Sequence, residues 1–534
     1  MEALCSNLSF SQVLNIMENI FRRKPIEAII AAPDESEGVP TLHRVLTWKD
    51  VLSHGIAAII GTGIFVLTGV AAHDYAGPGI ILSFALAGIC CAFVSYSYAE
   101  LASMIPVSGS AYTYAYASLG EVVAFCIGWD LLLEYAVGSS AVAVGWSAYL
   151  QNVLRSVGIH LPESISHAPH TVPWVPLVGS LIAIAFGLWL WQQQQTRLLA
   201  LLSLATGAFA LCVVSGQINS IDLPAVLIIA FINYWLVKGV KHTARMTAVF
   251  VVIKLAVILL FIGLGIWHIQ PANYVPFMPF GFHGVLAGAS IVFFAYIGFD
   301  AVTTLSEECK DPQRDVSKGV KLSLLVCTIL YMIVAAIMVG AVSYKLLGGN
   351  EIAAPMAAVL NHLGYWWASP LVSIGAIAGI TSVLIVLLFG QSRIMMKMAQ
   401  DGLMPSLFAK IDRRNRTPKR SILTCGVIIA CLSGLLPISE LAELTNIGTL
   451  AAFVIVCIGV IVLRKTEPDR ERKFRCPGYP LVPALGALSS LALMFGLPGV
   501  TWLRFAIWFV IGLLVYRFYG QGHSLLNQRR LGGS

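Results

Sequence analysis

The strongest constraint on this chain is a run length. Apolar residues come in unbroken stretches of about 20, roughly fourteen times along the chain, and about 20 is what a helix needs to cross the core of a bilayer. Only 11% of the residues are charged and 57% are hydrophobic, whereas a soluble chain carries about 25% charged residues. These features predict an all-α integral membrane protein that crosses the bilayer many times.

The spans fall at 50–72, 78–103, 118–150, 174–191, 198–216, 222–238, 244–267, 284–306, 320–343, 368–392, 421–437, 441–463, 478–498 and 501–519. With the N-terminus placed inside, about 30 of the 34 Lys and Arg residues fall in cytoplasmic segments, a strong positive-inside bias. Arg155, Lys345 and Arg504 fall outside, and Lys254 lies within a span. Both termini are therefore expected in the cytoplasm. The organisation reads as a cytoplasmic N-terminal segment 1–49, a membrane core 50–463, two C-terminal spans within 464–519 and a cytoplasmic tail 520–534.

Arg22, Arg23 and Lys24 follow the first apolar stretch rather than precede it, so the N-terminus does not read as a cleavable signal. The 11 cysteines are scattered and give no disulfide framework. The net charge of +7 reads as membrane topology, since no soluble module gathers the cations to hold nucleic acid.

Two spans carry breaks. The first reads GIAAIIGTGIFVLTG, with Gly61 and Gly63 flanking Thr62, and the later one reads GASIVFFAYIGFDAVTTLSEE, with Gly298 near its middle. Irregular backbone at membrane depth survives only when it is buried in protein or lines a cavity. An unwound midpoint leaves free N–H groups at a half-helix N-terminus, which suit a carboxylate. It also leaves free carbonyls, which suit an ammonium. One zwitterion bridging two such breaks is the substrate geometry of inverted-repeat transporters. The alternative is that these glycines only allow close helix packing.

The stretches GIAAIIGTGIFVLTGVAA, AGPGIILSF, YAELASMIPVSGSAYTY and GWDLLLEYAVGSSAVAVGWS, with FFAYIGFDAVTTLSEECKDPQRD, AQDGLMP, LAELTNIGTL and FRCPGYPLVP downstream, closely resemble the cationic amino acid transporter family. That family belongs to the amino acid–polyamine–organocation superfamily, and bacterial members look nearest. The resemblance implies two inverted five-helix repeats with broken first and sixth core helices, plus two C-terminal helices. It implies proton-coupled uptake or exchange of amino acids, with no cofactor and no metal, in a bacterial inner membrane. Residue by residue, Thr62 and Gly63 match the carboxylate-binding break, and the Ile59 carbonyl matches an amine contact. Phe294, Ala295 and Ile297 match the second break. The spans 174–191 and 198–216 are extra to the pattern and read as an inserted hairpin.

Lys254 lies deep in VVIKLAVILLF, where a lysine costs roughly 2.5–3.5 kcal/mol to insert. The resemblance places a lysine ammonium where the sodium-coupled branch of the fold holds an ion. Lys254 is therefore expected to couple protons, with a permanently charged structural lysine as the alternative. Glu134 in LLLEYAVGSS is the other deep charge. It can pair with Lys254, hold a broken helix, carry a proton or stay structural. Asp300 is expected to cap the helix that restarts after the second break.

By the same comparison, Leu387 stands where carriers of arginine or lysine have a small polar residue. A cationic side chain there would be buried without partners, so small to medium neutral amino acids are the expected cargo. Cationic substrates, exchange and non-transporting sensing are the alternatives. No HExxH, GxSxG or GxxxxGK[ST] motif points to an enzyme, and no sequence signal fixes an oligomeric state.

Overall fold

The first span is two helices rather than one. In the computed structural model the described residues are 22–30, 47–105, 110–168, 220–238, 243–300, 302, 309–348, 354–412 and 417–526; they form helices and no strand. Helix α1 (Trp48–Ile59) opens on a capping arrangement in which the Thr47 N–H and hydroxyl donate to the Asp50 carboxylate at 2.8 and 2.7 Å. It stops at Ile60, whose backbone is extended (φ −75°, ψ 102°). The chain resumes as a π-helical turn, Gly63–Leu67, and an α-helical turn, Thr68–Ala71.

The remaining main helices are α2 (Ile80–Met104), α3 (Ser110–Ser118), α4 (Glu121–Ser156), α5 (Leu223–Lys238), α6 (Thr243–Gly265) and α7 (Gly281–Val292). They continue as α8 (Pro312–Ala341), α9 (Pro355–His362), α10 (Ala368–Gln400), α11 (Lys419–Leu435), α12 (Ile438–Thr466), α13 (Leu481–Phe495) and α14 (Gly499–Val515). Helix α7 runs out through a 3-10 turn, Phe293–Tyr296, after which Ile297 is extended and Gly298 takes φ +108°. That conformation favours glycine and ends the helix.

Seven helical runs among the described residues are long and apolar enough to cross a bilayer, and three further apolar helices are shorter. Helices α4 and α8 extend past the spans expected at 118–150 and 320–343 because polar turns continue the helix beyond the hydrocarbon. Pro312 sits in the first turn of α8, where its missing N–H costs nothing. The inserted hairpin expected at 174–216, and the helix that Asp300 was expected to cap, lie outside the described residues.

Helix α4 is the central post. It packs along α10 and α12 and also touches α11, α3 and α5, while α8 packs on α1 and α2. On α14, Leu503, Ile507, Val510 and Leu514 form an outward stripe, each about half exposed. Their spacing places them on one helix face, which suits lipid as solvent.

Both ends of the described chain meet at one face. The Glu121 N–H donates to the Arg22 carbonyl at 2.9 Å. The Glu121 carboxylate accepts from Tyr116, Tyr516 and Ser524 hydroxyls at 3.0, 2.9 and 2.7 Å. Nearby, Asp401 accepts from the Lys24 ammonium at 2.9 Å and from the Tyr112 hydroxyl at 2.8 Å.

Candidate substrate-binding site

The two breaks touch. A Cβ placed on Gly63 would fall on the backbone of Ala295, and one on Gly298 would come to 3.0 Å of the Ala58 carbonyl oxygen. Only glycine lets the π-helical turn and the 3-10 turn approach this closely. Between them lies a cavity lined by Ala58, Ile59, Gly61, Thr62 and Gly63 of the first break and by Phe294 and Ile297 of the second. Helix α4 adds Glu134, Tyr135, Gly138 and Val142, and α10 adds Val383 and Leu387. The free volume among them is ≈ 20 Å³, room for about one water.

The carbonyls freed at the end of α1 can be followed one by one. The Ile56 carbonyl accepts from the Ile60 N–H. The Ala57 and Ile60 carbonyls accept from the Lys254 ammonium at 2.7 and 2.8 Å. The Ile59 carbonyl lies 2.9 Å from the Tyr331 hydroxyl, which also stands 3.0 Å from the Ala295 carbonyl. A tyrosine has one proton to give, so one of these two carbonyls always keeps a free lone pair toward a donor. On the other side of the break, the first N–H groups of a restarting helix have no intrahelical acceptor. The site therefore places helix-start N–H groups close to carbonyls that Lys254 and the single Tyr331 proton hold.

Lys254 is fully buried. Its stem lies against Gly379 of α10, where a Cβ would come to 2.9 Å of the lysine Cβ. Its ammonium goes to two carbonyls of the first break and not to Glu134, so the ion pair considered between the two is not made. Glu134 is buried and faces the cavity, with its Oε2 lacking a hydrogen-bond partner among the described residues. Thr62 turns its hydroxyl toward the Val142 carbonyl (3.4 Å) and its methyl toward Gly145, which leaves its backbone N–H as the group at the break. Ala295 adjoins the cavity through its contact with Gly63, and Leu387 borders it directly.

The nine sequence-derived residues thus come together: Ile59, Thr62, Gly63, Phe294, Ala295, Ile297 and Leu387 at the cavity, Glu134 beside it and Lys254 behind the first break. Sequence reasoning missed Tyr331, Tyr135, Val142 and Val383. Val383 lies one turn before Leu387 on the same helix, a spacing that could have found it. Tyr331, in the apolar run of α8, carries no local signal. A larger groove of ≈ 580 Å³, lined by Glu27, Met104, Glu467, Arg470 and Lys473 among others, shares no residue with this cavity.

Residues 46–516 match a family model described as amino acid permease. The chain is 44% identical to a branched-chain amino acid permease of Bacillus subtilis, over 96% of this chain and 99% of that protein. It is 42% identical to a methylthioribose transporter of the same organism, over 96% and 100%. It is 28% identical to the vacuolar cationic amino acid transporter 4 of Arabidopsis thaliana, over 96% and 97%. On the strength of a family match along nearly its whole length, this multi-pass membrane protein is an amino acid transporter and belongs to the amino acid permease family.

Proposed function

We propose that the protein is a proton-coupled importer of small to medium neutral amino acids, working by alternating access. The observation that carries this is the direct meeting of the two breaks around one cavity. N–H groups at Thr62 and Gly63 take the substrate carboxylate, in line with the preference of helix N-termini for anions. Carbonyls at Ile59, Phe294 and Ala295 take the ammonium. Leu387 and Val383 close the space left for the side chain with apolar surface, which suits branched aliphatic cargo such as that named for the relative at 44% identity. Methylthioribose has neither carboxylate nor ammonium and would leave the bare backbone ends unused.

The near-absence of free volume supports alternating access, since a leucine enters only when the two breaks move against α4 and α10. Lys254 is the coupling group: its proton determines whether the Ala57 and Ile60 carbonyls stay tied. The face that gathers Arg22, Glu121 and Ser524 is the cytoplasmic face of a bacterial inner membrane, in accord with the positive-inside bias.

The test is uptake into liposomes of labelled leucine, alanine, arginine and glutamate, with and without an inward proton gradient and with and without sodium. Proton-stimulated leucine uptake that survives sodium removal, with Lys254→Ala losing the stimulation, supports the proposal. Uptake driven only by sodium refutes the coupling. Preference for arginine refutes the role of Leu387, and competition by methylthioribose stronger than by leucine refutes the cargo class.

A further inference from the structure

Two buried carboxyls show how such groups are ordinarily supplied in this protein. Glu100, at the end of α2, accepts from Arg464 at 2.8 and 2.6 Å and from the Cys476 N–H at 2.7 Å. Asp222 accepts from the Ser147 hydroxyl at 2.6 Å and from the Ala225 N–H at 3.1 Å. Asp130 on α4 is as deeply buried, at 0% exposure, yet neither of its oxygens has a hydrogen-bond partner among the described residues. An unsupplied acid at this depth in a membrane protein is costly and serves only packing poorly, so it calls for a function.

Position suggests which function. Asp130 lies one helical turn from Glu134 on the same face of α4, about 6 Å along the axis. Glu134 borders the cavity. In the other direction, the same helix begins at Glu121 in the terminal network. Asp130 therefore stands between the cavity and the face that holds Glu121. The packing leaves it room: across from it, α12 offers Gly448, where a Cβ would come to 2.7 Å of the Asp130 Oδ1.

The titratable neighbours along α4 are Cys126, one turn before, and Glu134, one turn after. Asp300, just past the second break, faces Glu134, as does Tyr98 of α2. The Thr449 hydroxyl of α12 lies near Glu134 and donates to the Thr445 carbonyl at 3.0 Å.

We propose that Asp130 is a second proton carrier, relaying protons between Glu134 and the face that holds Glu121. In the step, an O–H bond breaks on Glu134 and another forms on Asp130, directly or across one water, and no electrons are exchanged. The inference rests on the proton-coupled reading above.

The experiment is the ratio of leucine uptake with an inward proton gradient to uptake without one, in liposomes holding wild type or Asp130→Asn. A ratio is insensitive to how much protein is folded. The expected result is a ratio well above unity for wild type that falls to unity in Asp130→Asn, with the pH dependence of net uptake flattened. An Asp130→Asn ratio equal to wild type overturns the relay, and so does an Asp130→Asn protein without uptake in either condition, which marks a structural acid. A wild-type ratio of unity instead refutes the coupling reading itself, along with the relay built on it.

Discussion

The Lys254 ammonium donates to the Ile60 carbonyl at 2.8 Å, at the residue where α1 stops. A second bond, to Ala57, spans the last turn of that helix. One side chain from α6 thus supplies two of the carbonyls that the break leaves without partners. Lys254→Met keeps the apolar stem and removes the donors. Each orphaned carbonyl costs about 1–3 kcal/mol, so a loss of about 2–6 kcal/mol is expected. A melting curve of the detergent-solubilised protein checks it; an unchanged midpoint would show that water or another group serves these carbonyls equally well.

Tyr331 ties the two breaks with one proton shared between the Ile59 and Ala295 carbonyls. Tyr331→Phe keeps the ring and removes that tie. A neutral hydrogen bond is worth about 1 kcal/mol, and about fivefold in KM for leucine follows. Uptake kinetics give the number, and a fall in kcat alone at constant KM would place Tyr331 in the transport motion rather than in cargo binding.

Gly63→Ala puts a methyl where the Ala295 backbone lies. Forcing the breaks apart costs about 1–3 kcal/mol, and about five- to a hundredfold in leucine affinity is expected to go with it. Equilibrium binding of labelled leucine, normalised to protein amount in the membrane, checks this. Affinity equal to wild type would mean that the close approach is not needed for the cradle.

Leu387→Ser opens the apolar wall and adds a polar group. The ratio of lysine to leucine uptake is expected to rise by about tenfold, because a long cationic side chain then has space and a partner. Competition assays with both amino acids read it. A ratio that stays put would move the specificity wall to Val383 or Tyr135.

The sequence displayed most of this site because the chemistry is backbone chemistry. Gly61, Gly63 and Gly298 interrupt apolar runs, and an interruption is visible in one dimension. Lys254 and Glu134 stand out for the same reason, as charges among hydrocarbons. Tyr331 does not stand out: it is one aromatic residue in an apolar helix, and its role exists only because α8 packs on α1 at the level of the break. Helix ends also escaped, as at α8, where polar residues before the membrane continue the same helix. The α4 lining at Tyr135 and Val142 was hidden for a related reason. Their spacing from Glu134 places them on neighbouring faces, and only packing against α10 and α12 shows which face meets the cavity.

Glu121 has a consequence for how the protein is made. Its partners Tyr516 and Ser524 follow it by 395 and 403 residues. At ribosomal speeds of about 5–20 residues per second, the carboxylate is exposed for roughly 20–80 s before they exist. The network that joins Arg22 and Glu121 to Tyr516 and Ser524 can thus close only after these late residues have been made, so this face is completed long after α4 itself is in place.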